Sequence, residues 1–285
     1  QSVFRADLFH GQTVVVTGGG SGIGRCTAHE LSALGASVAL VGRNPNKLEQ
    51  VAQEITQAGG SASLHVCDIR EEDQVASTIA AVLQTHGRID GLVNNAAGNF
   101  LSASEDLSPN AFNAVVDIVL KGTFHCTLEF GQRIIAAGTP SSNVINIVTT
   151  YTETGSSFVL PSACAKAGVL AMTNSLAVEW STYGIRLNAI APGPFPTEGA
   201  WSRLMPDPSI EESYKRGIPL GRYGKPEELA QCAAFLMSPM ASYIQGGCIT
   251  IDGGERLMAG QFNRFVQWMP RPMIKQAFEA MKPRK

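Results

Sequence analysis

The stretch Thr13-Val14-Val15-Val16-Thr17-Gly18-Gly19-Gly20-Ser21-Gly22-Ile23-Gly24 decides the fold. Five β-branched residues in a row favour an extended strand. The glycines that follow allow a tight turn, and Gly18, Gly22 and Gly24 stand in the spacing GxxxGxG. Without Cβ atoms the backbone can approach a pyrophosphate closely. A helix opening at Gly22 turns its unpaired N–H groups and positive dipole end toward that phosphate. A glycine-rich loop is a weak signal alone. Set between a strand and a helix it points to dinucleotide binding, with Gly18, Ser21, Gly22, Ile23 and Gly24 as contacts.

Working outward, short apolar runs alternate with longer amphipathic ones. Thr13–Thr17, Ser37–Val41, Ser63–Val66, Gly91–Val93, Asn143–Val148, Arg186–Ile190 and Cys248–Ile251 read as strands, apolar throughout as in a sheet buried on both faces. Helices are expected near 22–34, 46–58, 71–85, 110–137, 161–182 and 226–237, with one more over 261–281. The alternation predicts an α/β fold: a single Rossmann-type doubly wound domain over 1–285, with a seven-stranded, mostly parallel sheet and helices on both faces. The proline-rich stretch 194–225 reads as an insertion over the active face, and 255–285 as a C-terminal extension. Ligands in such sheets bind outside the carboxyl ends of the strands.

Composition narrows the function classes. Among 285 residues, 44% are hydrophobic, and 22 basic against 24 acidic residues leave a formal charge of −2. No basic excess points to nucleic acid. No apolar run reaches the ~18 residues of a membrane span. No signal peptide is visible at Gln1–His10. The expected location is cytoplasmic for a bacterial protein, or the mitochondrial matrix for one with a processed N-terminus. The cysteines at 26, 67, 126, 164, 232 and 248 form no CxxC or Cys/His ligand pattern, and read as thiols of a reducing compartment. No metal site is expected: His65, His86 and His125 show no ligand spacing.

The end of the second strand selects the cofactor. An NAD site places a carboxylate there, against the ribose hydroxyls. This chain has Val41-Gly42-Arg43-Asn44. Arg43 can grip a 2′-phosphate with its fork of donors, so the expected cofactor is NADP(H). Arg25 is a second candidate contact. A solvated turn (Arg43) and a surface helix position (Arg25) account for the same residues.

Thr17–Gly24, Asp68-Ile69, Asn94-Asn95-Ala96-Ala97-Gly98, Lys166 and Pro192-Gly193 together resemble the short-chain dehydrogenase/reductase family over nearly the whole chain. The resemblance implies that Asp68 and Ile69 flank the adenine and that Asn94 and Asn95 support the cofactor side of the sheet. It implies that Pro192, Gly193 and Phe195, in the loop to Thr197, hold the nicotinamide. Asp68 also fits as a helix N-terminal carboxylate, and the asparagines as turn formers.

The family's catalytic tetrad is altered. Four residues before Lys166 the family has Tyr, and this chain has Ser162; the upstream Ser is Thr149, and the helix Asn is Val119. A serine hydroxyl is a poor acid toward a ketone. The departures, with Asn94–Phe100, Asp117–Thr123, Thr149–Gly155, Pro161–Gly168 and Pro192–Leu204, are similar to the NADPH-dependent 2,4-dienoyl-CoA reductases. That likeness implies that Tyr151 and Asn99 donate hydrogen bonds to a thioester carbonyl. It further implies that Lys166 binds the nicotinamide ribose, that Ser162 holds Lys166, and that Phe100 and Arg203 contact the fatty acyl-CoA, Arg203 at its phosphates. Conjugate reduction puts negative charge on the thioester oxygen, so the site needs an oxyanion hole. The product implied is the 3-enoyl thioester and the assembly a homotetramer.

Simpler roles suit the same residues: a packed aromatic for Tyr151, a self-capping loop for Asn99, the opening of the 161–182 helix for Ser162, a solvated loop for Arg203. A 2-enoyl-CoA or carbonyl reductase, and a catalytically silent NADP-binding protein, are the competing functions. The apolar residues of 261–281 fit an acyl tunnel, a subunit contact or a loose surface segment.

Overall fold

Side chains along β1 (Thr13–Thr17) divide the molecule into layers. In the computed structural model, which describes residues 4–138, 141–197, 208–263, 267 and 270–281, Val14 and Val16 enter one apolar core and Val15 the other. This is the period-two alternation of a strand covered on both faces. Each fully buried aliphatic side chain contributes ~1.5–3 kcal/mol.

The sheet has seven strands in the order β3-β2-β1-β4-β5-β6-β7, all pairs parallel. They are β1, β2 (Ser37–Gly42), β3 (Ser61–Val66), β4 (Gly91–Asn94), β5 (Ser142–Ile147), β6 (Ile185–Pro192) and β7 (Cys248–Ile251). Helices α1 (Gly22–Ala33) and α2 (Pro45–Gln57) lie on one face with Pro226–Met237, numbered α8 below. Helices α3 (Glu72–His86), α5 (Gly122–Ala137) and α6 (Leu160–Glu179) cover the other. The strand order reverses between β1 and β4, and there the crevice of a doubly wound sheet opens.

Three expectations are corrected. The third strand is not apolar throughout: β3 starts two residues earlier and is largely exposed, because it pairs only with β2 and forms the sheet edge. The helix expected over 110–137 is α4 (Pro109–Val116), a π-helical turn (Asp117–Lys121) and α5 in unbroken succession. Of 261–281, residues 261–263 form a turn and the described helix is α9 (Arg271–Ala280), with Ile274 its buried residue. The 194–225 segment is pinched at its base by Gly224 N–H donating to Pro194 O (3.1 Å) and carries α7 (Pro208–Arg216). Among the described residues no helix is long and apolar enough to cross a membrane. All six cysteines are free.

Candidate active site

The helix that follows the glycine loop begins without a cap. Ser21 precedes α1 but makes no side-chain bond to it, and the first turn holds no acid. Asn44 and Ser108, by contrast, accept from Lys47 N–H and Ala111 N–H at the starts of α2 and α4. The first N–H groups of α1 therefore remain available to a ligand anion. Gly18 and Gly22 adopt φ of +66° and +53°, the left-handed region that favours glycine. A Cβ at Gly18 would stand 2.8 Å from Asn95 Nδ2, and one at Gly24 would collide with Gly18 O and Asn95 Nδ2. The loop is thus held against the end of β4. Thr17 Oγ1 accepts from the backbone N–H of Asn95 and Ala96, and Asn95 Nδ2 donates to Thr17 O.

A crevice of about 510 Å³ runs along the carboxyl ends of the strands from this loop. At one end lie Arg43 and Lys47, both exposed. Next come Asp68 and Ile69. The Arg70 guanidinium grips Asp68 and, as the largest cause, holds its carboxyl below the usual range. Asp68 does not cap α3, whose N-cap is Glu71. At the other end Asn99, Thr149, Tyr151, Ser162 and Lys166 share the lining.

The floor of that end is a buried polar chain. Asn94 Nδ2 donates to Thr127 Oγ1 and to Asn146 Oδ1, and Asn146 Nδ2 donates to Thr173 Oγ1, each at 2.8 Å. It joins α5, β4, β5 and α6 beneath the crevice. The paired members of such a chain rigidify their surroundings, while Asn94 Oδ1 is buried without a partner among the described residues.

Tyr151 and Ser162 meet hydroxyl to hydroxyl at 3.2 Å. Ser162 is buried in the first turn of α6, and the N-cap is Val159. Ser162 therefore does not cap the helix, and no hydrogen bond joins it to Lys166 among the described residues. Lys166 Nζ donates instead to Ile147 O. Burial lowers the Lys166 ammonium to about 8, and two of its three N–H donors remain for a ligand. Asn99 Oδ1 accepts from the adjacent Phe100 N–H at 2.9 Å. That bond fixes the carboxamide, and Nδ2 makes no hydrogen bond among the described residues. Thr149 Oγ1 is buried without a partner there. Val119, where the family has Asn, is buried among Val115 and Ala165.

Other predicted residues lie apart from the lining. Arg25 Nε donates to Glu54 Oε2 (2.8 Å) and faces a separate depression of about 700 Å³. Phe100 packs on the Val115 cluster. Pro192 ends β6, and Gly193 N–H donates to Ile251 O. Phe195 is buried, its ring filling the space a Cβ on Gly224 would need. From this loop Thr197 reaches the crevice, beside Gly22. Arg203 lies outside the described residues. The sequence reading passed over Lys47, which lies in the first turn of α2, three residues after its cap Asn44. It also passed over Ile118, which reaches the crevice from the π-helical turn. Tyr214 Oη donates to Glu255 Oε1, tying α7 to the chain after β7; burial holds the Tyr214 hydroxyl and the Glu255 carboxyl above their usual ranges.

Uncapped helix start, glycine loop, salt-bridged carboxylate and buried lysine in one elongated crevice fit a nicotinamide dinucleotide. The chain belongs to the short-chain dehydrogenase/reductase family, a family of nicotinamide-dependent oxidoreductases: residues 18–255 match the profile described as enoyl-(acyl carrier protein) reductase. A Caenorhabditis elegans protein named a probable 2,4-dienoyl-CoA reductase, (3E)-enoyl-CoA-producing, is 45% identical over 258 residues, covering 89% of this chain and 83% of its own. A Bacillus subtilis protein named a probable 2,4-dienoyl-CoA reductase, (2E)-enoyl-CoA-producing, is 42% identical over 247 residues, covering 86% and 97%. The crystal structure of a Beutenbergia cavernae protein with bound NADP at low occupancy superposes with TM-score 0.82 at 34% identity, covering 90% of this chain and all of that one.

Proposed function

We propose that the protein reduces a 2,4-dienoyl-CoA thioester to the 3-enoyl-CoA with NADPH. The observation that carries the proposal is the fixed Asn99 carboxamide. Its oxygen is engaged by Phe100 N–H and its nitrogen unpartnered among the described residues, in the crevice that also holds the Tyr151 hydroxyl. Two neutral donors on one crevice suit an oxygen that gains negative charge.

NADPH, once bound in this crevice, would supply a hydride for the distal carbon of the diene. The residues hold the rest. Either hydroxyl of the Tyr151–Ser162 pair can donate; with Ser162 as the donor, the phenolic hydrogen is left for the thioester oxygen. Asn99 Nδ2 supplies the second donor to that oxygen. Lys166, anchored on Ile147 O, presents its remaining hydrogens to the nicotinamide ribose. Arg43 and Lys47 offer positive charge to a 2′-phosphate, which is what favours NADPH over NADH. The electron pair displaced onto the thioester oxygen returns through Cα, which takes a proton from solvent and leaves the double bond at the 3 position. The 3-enoyl isomer follows the 45%-identical relative.

NADPH oxidation measured with a 2,4-dienoyl-CoA, a 2-enoyl-CoA and a 3-ketoacyl-CoA tests the reading. Turnover confined to the dienoyl-CoA and lost in Tyr151→Phe supports it. Turnover of the ketoacyl-CoA, unchanged in Tyr151→Phe, makes the protein a carbonyl reductase. Tight NADPH binding with no turnover of any of the three makes it a silent binding protein.

We also propose assembly as a homotetramer. Support comes from the family and from the exposed apolar residues Val178, Met240 and Tyr243, and the mass in solution tests it.

A further inference from the structure

Phe158 combines two features that ordinarily exclude each other. Its φ is +64°, a region natural to glycine and asparagine and rare for a bulky side chain. It is also 60% exposed, so packing in the core does not compel the conformation. A strained, exposed aromatic is a candidate for contact with something outside the fold.

Its position says what. Phe158 O accepts from Ser102 N–H at 3.0 Å, tying the loop after β4 to the loop after β5. Three residues before Ser102 stands Asn99, and four after Phe158 stands Ser162, both lining the crevice. The bond therefore ties together the segment that continues from Asn99 and the segment that leads into Ser162, just outside the lining. Leu101 beside Ser102 is 49% exposed, and Leu160 is 41% exposed. Between Asn99 and Ala103, and between Gly155 and Ser162, no side chain is charged. The exposed leucines and phenylalanine of this surface can recognise hydrocarbon, and it carries no charge to hold a phosphate.

We propose that Leu101 and Phe158 form an apolar sill over which the acyl chain of the substrate leaves the crevice, and that Phe158 sets the preference for chain length. The inference rests on the acyl-CoA reading above. The thioester oxygen sits between Tyr151 and Asn99. The saturated carbons beyond the diene then pass across the sill, where each covered methylene contributes about fourfold in affinity.

The test compares kcat/KM for hexadienoyl-, decadienoyl- and tetradecadienoyl-CoA in the wild type, Phe158→Gly, Phe158→Ala and Leu101→Ala. Phe158→Gly suits the backbone and is expected to keep or raise Tm. It is expected to lower the two longer substrates by at least about tenfold while hexadienoyl-CoA stays within about twofold. Phe158→Ala and Leu101→Ala are expected to change selectivity in the same direction. An equal fall for all three chain lengths, or unchanged long-chain turnover, overturns the proposal. So does a loss accompanied by a smaller mass in solution, which makes Phe158 a subunit contact. Silence of the wild type on every dienoyl-CoA is a different result and overturns the parent reading as well.

Discussion

Tyr151 and Ser162 share a hydrogen bond of 3.2 Å, and Lys166, one turn beyond Ser162 on the same helix, bonds the Ile147 carbonyl instead of the serine. The serine thus serves the phenol, and the lysine has its own anchor. Removing each of the three should have a different signature.

Tyr151→Phe removes one donor from the oxygen that gains charge. We expect kcat with a dienoyl-CoA to fall by ~10²–10³ with NADPH binding intact. Asn99→Ala should act alike. A Tyr151→Phe enzyme with wild-type kcat would mean that the phenol does not stabilise the transition state.

Ser162→Ala leaves the phenol in place but unsupported. A neutral hydrogen bond contributes about 0.5–1.5 kcal/mol, so kcat should fall by roughly two- to tenfold, far less than in Tyr151→Phe. Ser162→Thr, which keeps the hydroxyl, should recover part of the loss. A collapse as deep as that of Tyr151→Phe would place Ser162 on the substrate itself.

Arg43→Ala removes a charge-assisted contact to a 2′-phosphate. About 1.5–3 kcal/mol is at stake, or ~10–150-fold in the preference for NADPH over NADH. Lys47→Ala should show a smaller change of the same sign. Equal losses with both cofactors would assign Arg43 to general steering.

Lys166 gives a pH dependence in two measurements. Burial holds its pKa at about 8, below its ordinary value. The ammonium is present below that pH and lost above it, so NADPH affinity of the free enzyme should decline as the pH rises through about 8. The charged form also burdens the fold. The penalty is fully present below pH 8 and is relieved as the pH climbs toward the unfolded lysine value near ~10.4, on the order of 3 kcal/mol in all. Lys166→Met should lack this rise in a urea titration and equal or exceed the wild type in Tm at neutral pH.

Asn94→Ala breaks the polar chain under the crevice and leaves Asn146 Oδ1 without its donor, whereas Thr127 Oγ1 keeps its bond to Thr123 O. An unsatisfied buried group costs about 1–3 kcal/mol. A marked fall in Tm is therefore expected, and an unchanged one would show that water replaces the amide without loss.

Much of this was legible in the chain because local and global demands coincide. β1 and its glycine loop were plain, since β-branched residues, missing Cβ atoms and an uncapped helix start all require the same turn. The crevice end built on Tyr151, Asn99 and Lys166 was legible through kinship. The 3.2 Å pairing of Tyr151 with Ser162 was not, because it depends on how the loop after β5 folds back over α6. β3 escaped the apolar pattern because an edge strand needs only one covered neighbour. Arg25 follows the glycine loop in sequence, but its helical position turns it toward Glu54. Lys47 and Ile118 were missed because their own segments give each a sufficient local role, the one in the first turn of a helix and the other on an apolar helix face.

The π-helical turn at Asp117–Lys121 is an angular offset inserted into one long rod. Before it, Val115 belongs to the cluster that includes Ala165 of α6; after it, Cys126, Phe130 and Ile134 join the core against the sheet. A regular helix would hold one azimuth along its length, whereas this one changes azimuth midway and so fits two surfaces that are not aligned with each other. The protein thereby seats Ile118 at the crevice and Phe130 in the core on a single continuous element, and the extra residue of the turn serves as a gear tooth between binding and folding.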